Sequence, residues 1–143
     1  MKSKYSVLLI LILLIISCTK LEKTIPNDII NNQEKYNQII KTIEESDFSR
    51  FSLNQFISKE YFPSELKDLL KTTKLENKVE YLIFHKKNCE QKSFELASDG
   101  YYIVYNPCPE KDFPLPNSYL NEGITEIWGI NKNWMMWKDN GRM

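Results

Sequence analysis

The side chains of this 143-residue chain best suited to chemistry are its three cysteines and its one histidine. His85, Cys89 and Cys108 offer an imidazole nitrogen and two thiolate sulfurs, a donor set that suits zinc. His85 and Cys89 also offer a base beside a nucleophile, with Glu90 or Asp99 as the orienting carboxylate. Neither arrangement carries a family-specific local pattern, and the single histidine stands in a stretch that reads as strand. Glu44, Glu45, Glu60 and Glu80 supply carboxylates for acid–base work, but no pair can be selected from nineteen acids, a residue type that belongs mostly on solvated surface. Four glycines in the whole chain leave no phosphate cradle and no dinucleotide fingerprint. With no catalytic constellation, the sequence reads as a non-enzyme with no metal and no cofactor.

Charge narrows the partners. Nineteen basic residues balance nineteen acidic ones, and only Arg50 and Arg142 are arginines, the type that grips phosphates and bases bidentately. Nucleic acid is therefore excluded as the expected partner.

Cys18 differs from the other two cysteines. Lys2 and Lys4 precede an unbroken ten-residue apolar run, Val7 to Ile16, which is followed by Ser17 and Cys18. Ten residues at ~1.5 Å each cover about half of a ~30 Å hydrocarbon core, so the run reads as an export signal and not as a membrane span. Ile15-Ile16-Ser17-Cys18 resembles the lipobox of bacterial lipoproteins. The resemblance implies that residues 1–17 are removed and that Cys18 is acylated, with palmitate among its chains. It places the protein at the bacterial cell envelope, lipid-anchored and periplasmic or extracytoplasmic. Two or more acyl chains hold stably where one holds marginally. Thr19 stands where an aspartate would favour inner-membrane retention in the enterobacterial pattern, which points to the outer membrane.

The same resemblance orders the remaining sulfurs. With Cys18 committed to lipid in a compartment that permits disulfides, Cys89 and Cys108 are left to form one bridge, and oxidised sulfurs do not ligate zinc. Removal of residues 1–17 leaves 126 residues and takes Lys2 and Lys4 with it, giving 17 basic against 19 acidic residues and a formal charge of minus two. That length suits one domain with one core.

The elements that position these residues are read from periodicity. Residues 18–27, polar and broken by Pro26, read as a tether, and 28–143 as a single globular domain. Ile29, Tyr36, Ile40 and Ile43 recur at helical spacing from Asp28 to about Ser46. Ser52-Leu53-Asn54-Gln55 has capping-box spacing and predicts a second helix to about Tyr61, with Phe56 buried. Pro63 opens a third, Ser64 to about Thr72, with Leu66, Leu69 and Leu70 inward. Beyond Asn77 the pattern becomes strand: Val79 to Lys86, Lys92 to Ala97 and Tyr101 to Tyr105, the last two joined by an Asp99-Gly100 hairpin turn. Thr125 to Ile130 and Asn133 to Lys138 flank a second turn at Asn131-Lys132. The expected fold is α+β, with N-terminal helices on one face of a mainly antiparallel sheet of about five strands. This order of segments resembles cystatin-like and nuclear-transport-factor-like domains. Pairing Ser98 with Tyr101 would set Cys89 opposite Glu110, with Cys108 two residues away, which gives the bridge a geometric rationale.

Two regions suggest a surface for a partner. Residues 106–123 form an eighteen-residue connection with four prolines, long for a compact domain, that would present Glu110, Phe113 and Tyr119 at low entropic cost. Trp128, Trp134 and Trp137 follow, as core packing or as contact residues. The expected function is a small binding or interaction module held at the membrane. The alternative is an inhibitor or immunity-type lipoprotein that blocks an envelope-directed enzyme, with Phe113 or Glu110 as the plug.

Overall fold

A computed structural model describes residues 23–85, 93–98, 100–109 and 113–141. The export signal, Cys18, Cys89 and Glu110 lie outside the described residues.

Helix begins earlier than expected. The described part of α1 covers residues 23–31, α2 is Gln33–Glu45 and α3 is Ser64–Lys71. Residues 23–27, expected in the tether, are helical. Ile25 and Ile29, one turn apart, are each 1% exposed, and their burial holds the segment against the helix-breaking tendency of Pro26. The continuous helix expected from Asp28 is instead divided at Asn32 (φ −122°, ψ 38°), whose side-chain Nδ2 donates to Asp28 Oδ1 at 2.8 Å. A local side-chain bond of this kind competes with the helix ladder.

Asp28 joins three segments. Its Oδ2 accepts from the Tyr36 hydroxyl (2.8 Å) and from the Lys74 N–H (2.9 Å) beyond α3. Burial, with this hydrogen bond to a carboxylate, pushes the Tyr36 hydroxyl far above its usual pKa. Asp28→Ala leaves that buried hydroxyl without its acceptor, and we expect a loss of about 1–3 kcal/mol in urea unfolding. Tyr36→Phe made in the Asp28→Ala background should cost less than Tyr36→Phe alone. A loss below about 0.5 kcal/mol for Asp28→Ala would mean that water replaces the carboxylate freely.

The expected second helix is absent. Ser52 N–H donates to Gln55 Oε1 (2.9 Å), half of a capping box, but it closes a tight turn in which Asn54 takes a left-handed conformation (φ 61°). The chain then forms β1 (Ile57–Ser58) and a 3₁₀ turn (Lys59–Tyr61). Ile57 is fully buried and Phe56, expected inside, is 51% exposed, because a strand directs neighbouring side chains to opposite faces.

The remaining strands are β2 (Tyr81–Phe84), β3 (Phe94–Ser98), β4 (Tyr101–Tyr105), β5 (Ser118–Asn121), β6 (Thr125–Gly129) and β7 (Trp134–Asp139). They form one antiparallel sheet in the order β1-β2-β3-β4-β7-β6-β5. The α+β class stands, with seven strands where about five were expected; the two added, β1 and β5, are its edges. Ser98 pairs with Tyr101 across a turn in which Gly100 has φ 74°. The β6–β7 connection has four residues, 130–133, and not two: Ile130 N–H donates to Trp134 O, and Asn131 Oδ1 accepts from the backbone N–H of Asn133 and Trp134.

The core lies between the helices and one sheet face. Ile25, Ile29, Tyr36, Ile39, Ile43, Leu66 and Leu70 pack with Leu82, Phe84, Phe94, Leu96, Ile103, Trp134 and Met136. A smaller cluster on the opposite face joins Ile83, Ala97 and Tyr102 to Trp137. Strands apolar on both faces account for the unbroken hydrophobic text of β2 and β4.

Candidate functional site

Among the described residues, nine large hydrophobic side chains stand exposed, at 37 to 76% of their surface, and they divide between the two edges of the sheet. Leu53, Phe56, Tyr61 and Tyr81 are at the β1 edge. Leu115, Tyr119, Leu120 and Ile124 are on or beside β5, with Ile30 of α1 across from them. Six interstrand spacings of ~4.8 Å put the two edges about 29 Å apart.

The β1 edge is an ordered aromatic surface. Arg50 lies over the rings of Phe51 (4.8 Å) and Tyr61 (5.1 Å), which contact each other at 5.6 Å. Phe48 ties this group to the core through Phe84 (5.4 Å). Phe56 meets Tyr81 edge to face at 5.7 Å. The turn that carries Leu53 is fixed to β2 by the Asn54 N–H, which donates to Phe84 O at 2.8 Å. Arginine, tyrosine and phenylalanine are enriched at protein contacts, and arginine and tyrosine are among the residues that supply most of their energy.

His85 serves this frame. Its Nδ1 is 3.0 Å from Asn54 Oδ1, and its buried Nε2 is 3.1 Å from Glu95 Oε1 without hydrogen-bond alignment. The ring thus links the turn at Asn54 to β3. Among the described residues no group of three or more histidines, cysteines or acids is placed to hold a metal ion; Cys89 lies outside them.

The residues singled out from sequence are separated. Cys18, Cys89 and Glu110 lie outside the described residues. Cys108 is half-buried and disulfide-bonded, and its N–H donates to Asn106 Oδ1 at 3.0 Å. Asn133 Nδ2 holds the adjoining chain by donating to Asn106 O at 2.9 Å. Phe113 is half-buried, whereas Tyr119 is exposed and contacts Trp128 at 5.4 Å. The Tyr119 hydroxyl donates to Glu126 Oε2 (2.9 Å) and Asn140 Nδ2 donates to Oε1 (2.6 Å); these bonds, the one from Asn140 foremost, hold the Glu126 carboxyl below its usual pKa.

The three tryptophans have three environments. Trp134 is core, in ring contact with Tyr36, Phe94 and Tyr105. Trp128 is partly buried at the side of the same core, and Trp137 stacks flat on Tyr102 on the opposite face (3.9 Å, 6°). The β1-edge residues were missed from sequence, although four aromatic residues between Phe51 and Phe62, next to Arg50, are a compositional signal for them.

No family model matches this chain, and no curated protein or solved structure matches it. Its function is therefore argued from its own residues.

Two of the cavities beside α1 are lined by aromatic rings. One, of about 360 Å³, lies over Tyr105 and Trp134 with Asn37, Asn131 and Asn133 at its rim. Burial and the nearby Glu44 carboxylate raise the pKa of the Tyr105 hydroxyl in its wall. The other, of about 540 Å³, is a groove between α1 and β5–β6, lined by Lys23, Pro26, Ile30, Tyr119 and Trp128.

Proposed function

We propose that this chain is a lipid-anchored protein of the bacterial cell envelope, acylated at Cys18, whose domain is an interaction module that binds a protein partner through the β1 edge. The observation that carries the reading is the two exposed ring groups at this edge, Phe56 on Tyr81 and Arg50 over Phe51 and Tyr61, with Leu53 exposed beside them in sequence. An exposed apolar group of this kind on a small domain marks an interaction site. Of the two candidate plugs of the inhibitor reading, Phe113 is half-buried and Glu110 lies outside the described residues.

The Cys89–Cys108 bridge belongs to this proposal. The Ser98↔Tyr101 pairing from which the bridge was expected is present and Cys108 is disulfide-bonded, while Cys89 lies outside the described residues. A bridge closing about twenty residues contributes roughly 3 kcal/mol.

Labelled palmitate should enter the protein made with its leader in a bacterium and should not enter the Cys18→Ala variant; the denatured mature protein should show no free thiol until reductant is added. A photo-crosslinker at position 56 should give a discrete adduct in cells that the same probe at exposed Lys41 does not. Identical adduct patterns from the two positions, or none from position 56, would remove the β1 edge as the site.

A further inference from the structure

We infer that the β5 edge, together with the groove beside α1, is a second contact surface whose occupant is the bilayer itself. The inference rests on the lipid-anchor reading and specifies how the domain sits on the membrane.

Two independent observations converge on it. Five of the nine exposed large hydrophobic residues, Ile30, Leu115, Tyr119, Leu120 and Ile124, are at this edge of the sheet, and two of them, Ile30 and Tyr119, line the groove together with Pro26, Trp128 and Ile130. The described chain also begins here, since Lys23 forms part of the groove wall beside Pro26 and Ile30. Cys18 precedes Lys23 by five residues. Even fully extended, five residues reach at most about 18 Å, so acyl chains on Cys18 hold the groove within that distance of the lipid.

That distance decides between occupants. A globular partner of a hundred residues is about 30 Å across and does not fit in such a gap, whereas a lipid surface already fills it. The residues suit that surface. Tyr119 and Trp128 combine an apolar ring with a polar tip, the pairing that favours the headgroup boundary, and Leu115 and Ile124 add branched aliphatic groups. The mature chain has no basic excess, so the contact is apolar and not an electrostatic attraction to anionic lipid. With β5 towards the leaflet, the β1 edge is directed away from it.

The test uses the full lipidated protein, made with its leader in a bacterium fed labelled palmitate and reconstituted in phosphatidylcholine vesicles whose acyl chains carry bromine near the headgroup end. Bromine quenches tryptophan only on close approach. The expected result is loss of the Trp128 share of emission, roughly a third for three tryptophans with one at the headgroup boundary. The loss should persist in Trp137→Phe and disappear in Trp128→Phe. Leu115→Asp with Ile124→Asp, both at exposed positions and compatible with the fold, should reduce it at least by half. Palmitate incorporation without quenching, or quenching that the double aspartate variant leaves unchanged, overturns the bilayer contact while the anchor stands. Absence of palmitate overturns the anchor and the contact with it.

Discussion

Trp134→Ala is expected to destabilise the domain by about 3–5 kcal/mol, the cost of truncating a buried aromatic. Trp134 is 4% exposed and meets three rings, at 5.7 Å (Tyr36), 6.0 Å (Phe94) and 5.0 Å (Tyr105), so its removal opens a cavity that α2, β3 and β4 all border. Domains of this size have about 5–15 kcal/mol of total stability, so the variant should unfold near physiological temperature. Trp137→Ala provides the comparison. Trp137 is half-exposed against a single stacked ring, Tyr102, and its truncation should cost well under half as much. Urea unfolding followed by far-UV circular dichroism measures both, and equal losses would contradict the assignment of the principal core to the helix-covered face.

Gly129→Ala is the second large effect. A Cβ at this position would collide with the carbonyl oxygen of Leu115 and lie 2.6 Å from Ser118 Oγ and 3.0 Å from the Leu115 carbonyl carbon. The obstacle is backbone and cannot rotate away. The same carbonyl accepts from Ser118 N–H (3.2 Å) and Ser118 Oγ (2.5 Å), so moving it also breaks the turn that leads into β5. Overpacking of this kind costs about 1–3 kcal/mol, and here the loss should be accompanied by release of β5. Hydrogen exchange should show residues 118–121 losing protection while residues 101–105 keep theirs. A variant as stable as the parent would show that residues 113–117 shift at no cost.

Much of the sheet was legible because its signals are local and redundant. β4 was placed at both ends, since Asp99-Gly100 sets the turn, and the β-branched and aromatic run from Tyr101 sets the strand. That turn also fixed Ser98 opposite Tyr101. The apolar run of Tyr81 to Phe84, within a stretch rich in β-branched and aromatic residues, signalled a central strand apolar on both faces, and Leu82 and Ile83 are buried on opposite faces. The edges were not legible. β1 has two residues and β5 has four, too short for alternation to register. Ser52 and Gln55 form a hydrogen bond that serves a helix start and a tight turn alike, and only pairing with β2 decides between them. That choice inverted Phe56 and Ile57, and with Phe56 inside, the β1-edge surface could not be seen. Tyr119 was placed at a surface from its loop, but its neighbour Trp128 and the α1 groove depend on contacts over about a hundred residues of chain.

The strand order has a consequence for how the chain acquires its structure. β2, β3 and β4 are consecutive neighbours, as are β5, β6 and β7, so each triplet is a meander that can form from nearby sequence. The seam between them, Tyr101↔Lys138 to Tyr105↔Trp134, joins the middle of the chain to its end. Loop-closure entropy makes this junction costlier to form than the hairpins within either triplet. It cannot close until β7 is available to β4, so before that pairing the two meanders stand apart and the sheet lacks its middle.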